Sequence, residues 1–218
     1  LMKIKKNKTI NMVGYPLRFN SSLLFFRKKA QAMLSNSEIN IRSECYSYLP
    51  DWRPDIDYRK SVSSNKSLGG GALLELSHEI DYLKWIFGKL SLTESNIENK
   101  GILDIDVEDS ADLYFEVNKN RKIKLELSID FSSNILRREC LLLSESNELK
   151  WDGISNKVLS RNKKISDDWK VEFENNEDDM FLEEIRYYMN CVSNKTLAEP
   201  SIIDALETLN IILEAKGG

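Results

Sequence analysis

With one histidine in 218 residues, His78, the chain cannot build a metal centre from several imidazoles, and any imidazole chemistry must run through that one side chain. Its three cysteines, Cys45, Cys140 and Cys191, are odd in number, far apart and free of C-x-x-C spacing. Neither a disulfide framework nor a zinc site is expected, and a reducing cytoplasm fits that usage. No apolar run approaches the ~20 residues that span a bilayer, and the N-terminus lacks the apolar core of a signal peptide, so a membrane partner is not expected. Basic charge is not in excess: 31 Lys and Arg against 35 Asp and Glu leave a net charge of -4, which argues against nucleic acid as a partner. The local run Lys3 to Lys8 reads as the end of a basic, solvated helix. Phosphate signatures are missing too. There is no G-x-G-x-x-G, no G-x-x-x-x-G-K and no strand-glycine-helix unit with an acidic residue downstream, so a dinucleotide site complete within the chain is not expected. A G-x-S-x-G nucleophile elbow is also absent.

What is present is concentrated in Ser67 to Gly88. Three consecutive glycines, Gly69, Gly70 and Gly71, free the backbone for close approach, and the run that follows reads as a helix stopped by Gly88. They could set helix N-terminal amides against a phosphate or carboxylate. Leu73, Leu76, Ile80, Leu83 and Phe87 recur at three and four and draw one buried stripe. At about 100° per residue, Glu75, His78 and Tyr82 fall on the opposite side, so a carboxylate, an imidazole and a phenol share a polar face. An imidazole near neutral pKa can take a proton from a hydroxyl, and a carboxylate one turn away can orient it. The same spacing also describes an ordinary solvated helix face.

In chain order, Thr9 to Phe19 is rich in strand formers, and Asn20-Ser21-Ser22 caps a helix to about Leu34 with Leu23, Leu24, Phe26 and Ala30 toward the core. Glu38 to Tyr48 alternates as a strand. Leu49 to Lys66, with Pro50 and Pro54, is a long loop in which Trp52, Arg53, Tyr58 and Arg59 offer stacking and anion-pairing groups suited to a polyhydroxylated or acidic ligand. Trp52 serves equally well to pack that loop. Strand-like runs follow at 92–98, 110–117, 123–131, 137–144, 148–151, 157–159 and 169–173, joined by short turns that favour antiparallel meandering. Helices at about 177–192 and 201–215 close the chain. The order predicts a single α+β domain over 1–218, an open, mostly antiparallel sheet with helices on one face.

Val13-Gly14-Tyr15-Pro16-Leu17-Arg18-Phe19-Asn20, then Tyr48-Leu49-Pro50-Asp51-Trp52-Arg53-Pro54 through Asp57-Tyr58-Arg59, then Gly69-Gly70-Gly71 leading to Glu75-Leu76-Ser77-His78-Glu79-Ile80-Asp81, resemble the C-terminal portion of Gfo/Idh/MocA-type oxidoreductases. Asp179-Met180-Phe181 and the Ser201 to Lys216 segment extend the likeness to the end of the chain. The resemblance implies a dihydrodipicolinate-reductase-like C-terminal domain of an NAD(P)-dependent sugar or cyclitol dehydrogenase. His78 would be acid/base on the substrate hydroxyl, Glu75 its acidic neighbour, and Arg18 would lie near the nicotinamide or substrate. Trp52, Arg53, Tyr58 and Tyr82 complete the implied substrate contacts. It further implies a sugar-like substrate, a homodimer through the sheet face, and NAD or NADP in an intact parent. The family's N-terminal Rossmann domain, with its E-K-P lysine, has no counterpart here. Residues 1–19 read as the remnant of that junction, and the chain as a truncated form that binds no cofactor and is inactive alone. The alternative is a stand-alone, non-catalytic association module that uses the sheet face.

Overall fold

A computed structural model of the chain describes residues 9–34 and 38–217. The Lys3 to Lys8 helix reading lies outside them. Among the described residues, eight strands form one sheet: β1 (Ile39–Tyr48), β2 (Leu90–Glu98), β3 (Ser110–Val117), β4 (Asn120–Asp130), β5 (Ser132–Leu143), β6 (Asn147–Asp152), β7 (Lys157–Asn162) and β8 (Lys170–Glu174). Their order is β2-β3-β4-β1-β5-β6-β7-β8. The sequential neighbours pair antiparallel, as the short turns predict. The exception is β1, which enters between β4 and β5, parallel to the first and antiparallel to the second. Its register explains the placement. Ile39 sits against Ile123, Ile41 against Leu125 and Cys45 against Ile129, so the apolar side of each strand lands on the same face.

Among the described residues, five α-helices accompany the sheet: α1 (Ser21–Met33), α2 (Ala72–Glu75), α3 (Ser77–Phe87), α4 (Met180–Asn194) and α5 (Ile202–Ala215). On the sheet face turned to α1 and α3, Ile39, Ile41, Leu113, Leu125, Leu127, Leu142 and Trp151 are buried with Leu23, Phe26, Leu73, Ile80 and Leu83 of the helices. The other face is laced by cross-strand ion pairs, Arg137 to Glu44 and Lys150 to Glu139 at 2.6 Å each and Arg42 to Glu126 at 3.4 Å. That is the α+β arrangement read from the sequence, with one wet and one dry sheet face.

Helix α1 starts where Asn20 predicts: its Oδ1 accepts from Leu23 N at 2.9 Å and from Ser22 Oγ at 2.6 Å, and Trp151 Nε1 donates to that Ser22 oxygen at 2.8 Å. The cap is thereby tied to the core of β6. Leu24, expected inside, is exposed. No strand forms in 9–19. That segment is held instead by the start of α5, with Val13 N donating to Pro200 O and Ile202 N to Asn11 Oδ1, and Pro16–Phe19 makes one 3₁₀ turn. The helix expected over Ala72 to Phe87 breaks at Leu76, whose φ of -97° and ψ of 24° leave the α region, so Glu75 and His78 sit on separate helices.

Candidate active site

The glycine triplet is a packing device. A Cβ on Gly70 would stand 2.2 Å from the Val62 carbonyl, and one on Gly71, at φ +119°, would stand 2.4 Å from a Glu108 carboxylate oxygen. The amides are taken as well: Gly70 N donates to Asn65 O, Gly71 N to Ser63 O, Ala72 N to Glu108 O and Leu73 N to Glu108 Oε1. The anion-cradle reading of this turn is corrected accordingly. At this turn, protein backbone and Glu108 occupy the place a phosphate would need.

What the turn positions is the N-terminal end of α3, where His78 enters a cleft of about 760 Å³. The cleft opens at the C-terminal end of β1, beside the middle of β5. Its walls include Gly14 and Leu17, Cys45 to Ser47 of β1, Trp52 and Arg53 of the long loop, Glu75, Arg137 and Arg138 of β5, and Glu184 of α4. The imidazole is fixed by the Tyr15 ring, which meets it edge to face with centroids 5.3 Å apart. His78 Nδ1 is enclosed without a hydrogen-bond partner, which leaves Nε2 as the nitrogen that can serve the cleft. Burial lowers the His78 pKa below its ordinary value, Arg138 lowers it further, and Asp81 opposes. At neutral pH the ring is therefore an uncharged base.

The structure brings Glu75, His78, Trp52 and Arg53 to one cleft, although no hydrogen bond joins Glu75 to His78. Trp52 also packs its loop: its Nε1 donates to Ser47 Oγ at 3.1 Å and its ring meets Phe131 edge-on. Three expected residues are not brought there. Tyr82 is fully buried, its hydroxyl 2.6 Å from Ser43 Oγ and its ring against Trp151. It belongs to the core, because α3 one turn beyond His78 is enclosed on nearly all sides. Arg18 is spent on a buried two-pronged ion pair with Asp81, at 2.8 and 2.7 Å. Tyr58 lines a small neighbouring recess, and its hydroxyl accepts from Asp104 N.

Sequence reasoning missed four residues of this region. Glu79 is wholly enclosed, 3.0 Å from Arg138 Nε, an ion pair by distance without hydrogen-bond alignment. Total burial raises its carboxyl, against the pull of Arg138. Its signal was available: position 79 lies within the apolar stripe, three residues after Leu76 and four before Leu83. Arg137 and Arg138 point to opposite sheet faces, yet both line the cleft, beside the C-terminal end of β1. Glu184 had no local signal. Its Oε1 is enclosed without a partner, and burial pushes its pKa up.

Several solved structures share this architecture. A levoglucosan dehydrogenase in complex with NADH and levoglucosan aligns over 98% of this chain and 66% of its own, with a TM-score of 0.79 and 12% identity. An aldose-aldose oxidoreductase from Caulobacter crescentus aligns over 97% and 62%, at 0.78 and 12%. A UDP-N-acetylglucosamine 3-dehydrogenase from Acidithiobacillus ferrooxidans aligns over 98% and 62%, at 0.72 and 12%. The fold matches that of the C-terminal domain of Gfo/Idh/MocA-type oxidoreductases. The chain spans 62–66% of the length of these Gfo/Idh/MocA-type structures. No protein-family model and no curated protein matches the sequence. Among the described residues no helix is long and apolar enough to cross a membrane, and no cluster of His, Cys, Asp and Glu could hold a metal ion.

Proposed function

We propose that this chain is the substrate-binding and oligomerisation domain of an NAD(P)-dependent sugar or cyclitol dehydrogenase, with His78 as acid/base on the substrate hydroxyl. The observation that supports this best is the state of His78: a neutral imidazole, held by Tyr15, with Nδ1 enclosed and Nε2 left for a cleft large enough for a sugar. A hydroxyl that becomes a carbonyl must lose its proton, and Nε2 takes it; in the reverse direction the imidazolium returns it. Trp52 offers an apolar ring face and Glu75 an acceptor for neighbouring hydroxyls. The nicotinamide would supply the hydride half of the reaction. In this reading the chain contributes the proton half, depends on a nucleotide-binding domain for the hydride half, and is inactive alone.

An exposed stripe on α4, Phe181, Ile185, Met189 and Val192, runs on from the cleft wall. A stripe of that kind marks a surface for a partner, and we assign it to a nucleotide-binding domain. The wet face of the sheet is assigned to a second copy, which sedimentation at micromolar concentration tests. The deciding experiment is reduction of NAD⁺ and NADP⁺ with a panel of sugars and cyclitols, run on the chain alone and on the polypeptide extended by whatever coding sequence lies upstream of Leu1. Turnover only in an extended form, abolished by His78→Asn, is expected. Turnover by the chain alone, or turnover indifferent to His78→Asn, overturns the reading.

A further inference from the structure

The cleft has more hydrogen-bond donors than acceptors to receive them. Arg53, Arg137 and Arg138 line it, and each guanidinium carries five N–H groups in a fixed fork. Arg53 has no ion pair and no side-chain hydrogen bond among the described residues. Arg137 gives Nη1 to Glu44 at 2.6 Å and lays its guanidinium over the Tyr46 ring. Arg138 has Glu79 as its ion-pair partner, at Nε. Glu79 is wholly enclosed in the core, so it anchors Arg138 at Nε, while Arg138 lines the cleft with about a quarter of its side chain exposed. Against these stand two lining carboxylates, Glu75 and Glu184, and burial moves Glu184 toward its neutral form.

Placement matters as much as number. Arg138 extends on the helix-covered side of β5, paired in register with Cys45, and Arg137 extends on the open side, paired with Tyr46. Arg53 approaches from the long loop. Three arginines from a loop and the two sides of one strand thus line one space, in a wall that also holds His78. Uncharged sugar hydroxyls both donate and accept and need no such surplus. A carboxylate or a phosphate offers only acceptors and matches the guanidinium fork with two parallel bonds.

We propose that the sugar processed here carries an anionic group, a carboxylate or a phosphate, and that Arg138, braced by Glu79 and assisted by Arg53 and Arg137, is the residue that reads it. This rests on the sugar-dehydrogenase reading above and narrows its substrate class. Arg138 also orients the ligand relative to His78, since both groups belong to the same wall. The pair Arg138 and Glu79 then acts as a fixed fork rather than a mobile surface charge, which lowers the ordering cost of binding.

The test is equilibrium titration of the full chain, followed by amide chemical shifts, with four probes: glucuronate, UDP-N-acetylglucosamine, UDP without sugar, and uncharged levoglucosan. At least one charged sugar is expected to bind about tenfold or more tighter than levoglucosan, with an advantage that shrinks as salt rises. Arg138→Lys keeps a cation beside Glu79 but loses the fork, and Arg53→Ala alters an exposed side chain without touching the core. Each should cut charged-sugar affinity about fivefold or more and weaken levoglucosan markedly less, so that the charged-over-neutral ratio falls. Arg42→Ala, outside the cleft, should change neither. Preference for glucuronate identifies a carboxylate, and preference for UDP-N-acetylglucosamine over UDP identifies a sugar phosphate. Equal binding of charged and neutral sugars overturns the anionic assignment and leaves the dehydrogenase reading standing. Absence of binding by every probe, or tight binding by UDP alone, removes both.

Discussion

Helix α3 supplies the enclosed carboxylate of two ion pairs, and the pairs differ in what the arginine can still do. Asp81 and Arg18 form a closed unit: two hydrogen bonds of 2.7 and 2.8 Å, with the side chains 1% and 7% exposed. Glu79 and Arg138 form an open one, since Glu79 is 0% exposed while Arg138 retains 27% and lines the His78 cleft. The first pair spends its guanidinium on the fold and clasps the 9–19 segment to α3. The second spends its carboxylate on the fold and leaves its guanidinium for a ligand. Two residues apart in sequence, nearly the same chemistry serves scaffold in one case and site in the other, and solvent access to the cation separates them.

The largest effect that can break this comparison comes from the closed pair. Asp81→Asn leaves Arg18 buried without a counter-charge and is expected to cost about 3–5 kcal/mol of unfolding free energy in urea. Glu79→Gln should cost less, about 1–3 kcal/mol, because Arg138 can turn toward water in the cleft once released. Equal losses in the two variants would mean that Arg138 is bound into the fold as firmly as Arg18, and would erase the distinction. The order Asp81→Asn below Glu79→Gln in denaturation midpoint is the outcome that sustains it. Glu79→Gln also frees the Arg138 fork, so the charged-sugar titration should weaken in that variant although its cleft is intact.

How much of this was legible in the residues follows the same division. Periodicity delivered the apolar stripe of Leu73, Leu76, Ile80, Leu83 and Phe87, all buried, and alternation delivered the covered face of β1. Capping chemistry delivered Asn20 and the stop at Gly88, whose φ of +98° needs glycine. Local rules could not see the break at Leu76. They also misjudged Tyr82, because a phenol with a buried partner such as Ser43 is as comfortable in a core as on a wet face. The motif resemblance led to His78, Trp52 and Arg53. It also pointed to Arg18, which lies outside the His78 cleft in a buried ion pair with Asp81. Arg138 and Glu184 were invisible, since they reach the cleft from elements far from His78 in the chain.

The smallest expected effect sharpens the comparison through pH. Burial and the nearby Arg138 hold the His78 pKa in the folded chain below its ordinary 6.5, the value it regains on unfolding. Below 6.5 the unfolded chain therefore binds a proton that the folded chain still refuses. Stability attributable to the neutral ring is full above 6.5, falls as the pH drops toward the folded value, and levels off beneath it. The enclosed carboxyls Glu79 and Glu184, raised by burial, slope the opposite way, toward greater stability in acid. The wild-type curve alone thus mixes the two signs. Subtracting the curve of His78→Gln isolates the histidine, and the difference should grow against wild type as the pH falls from about 8 to about 5. A difference that stays flat with pH would show that His78 titrates as it does in the unfolded chain, and would take from Arg138 its part in keeping the ring a neutral base.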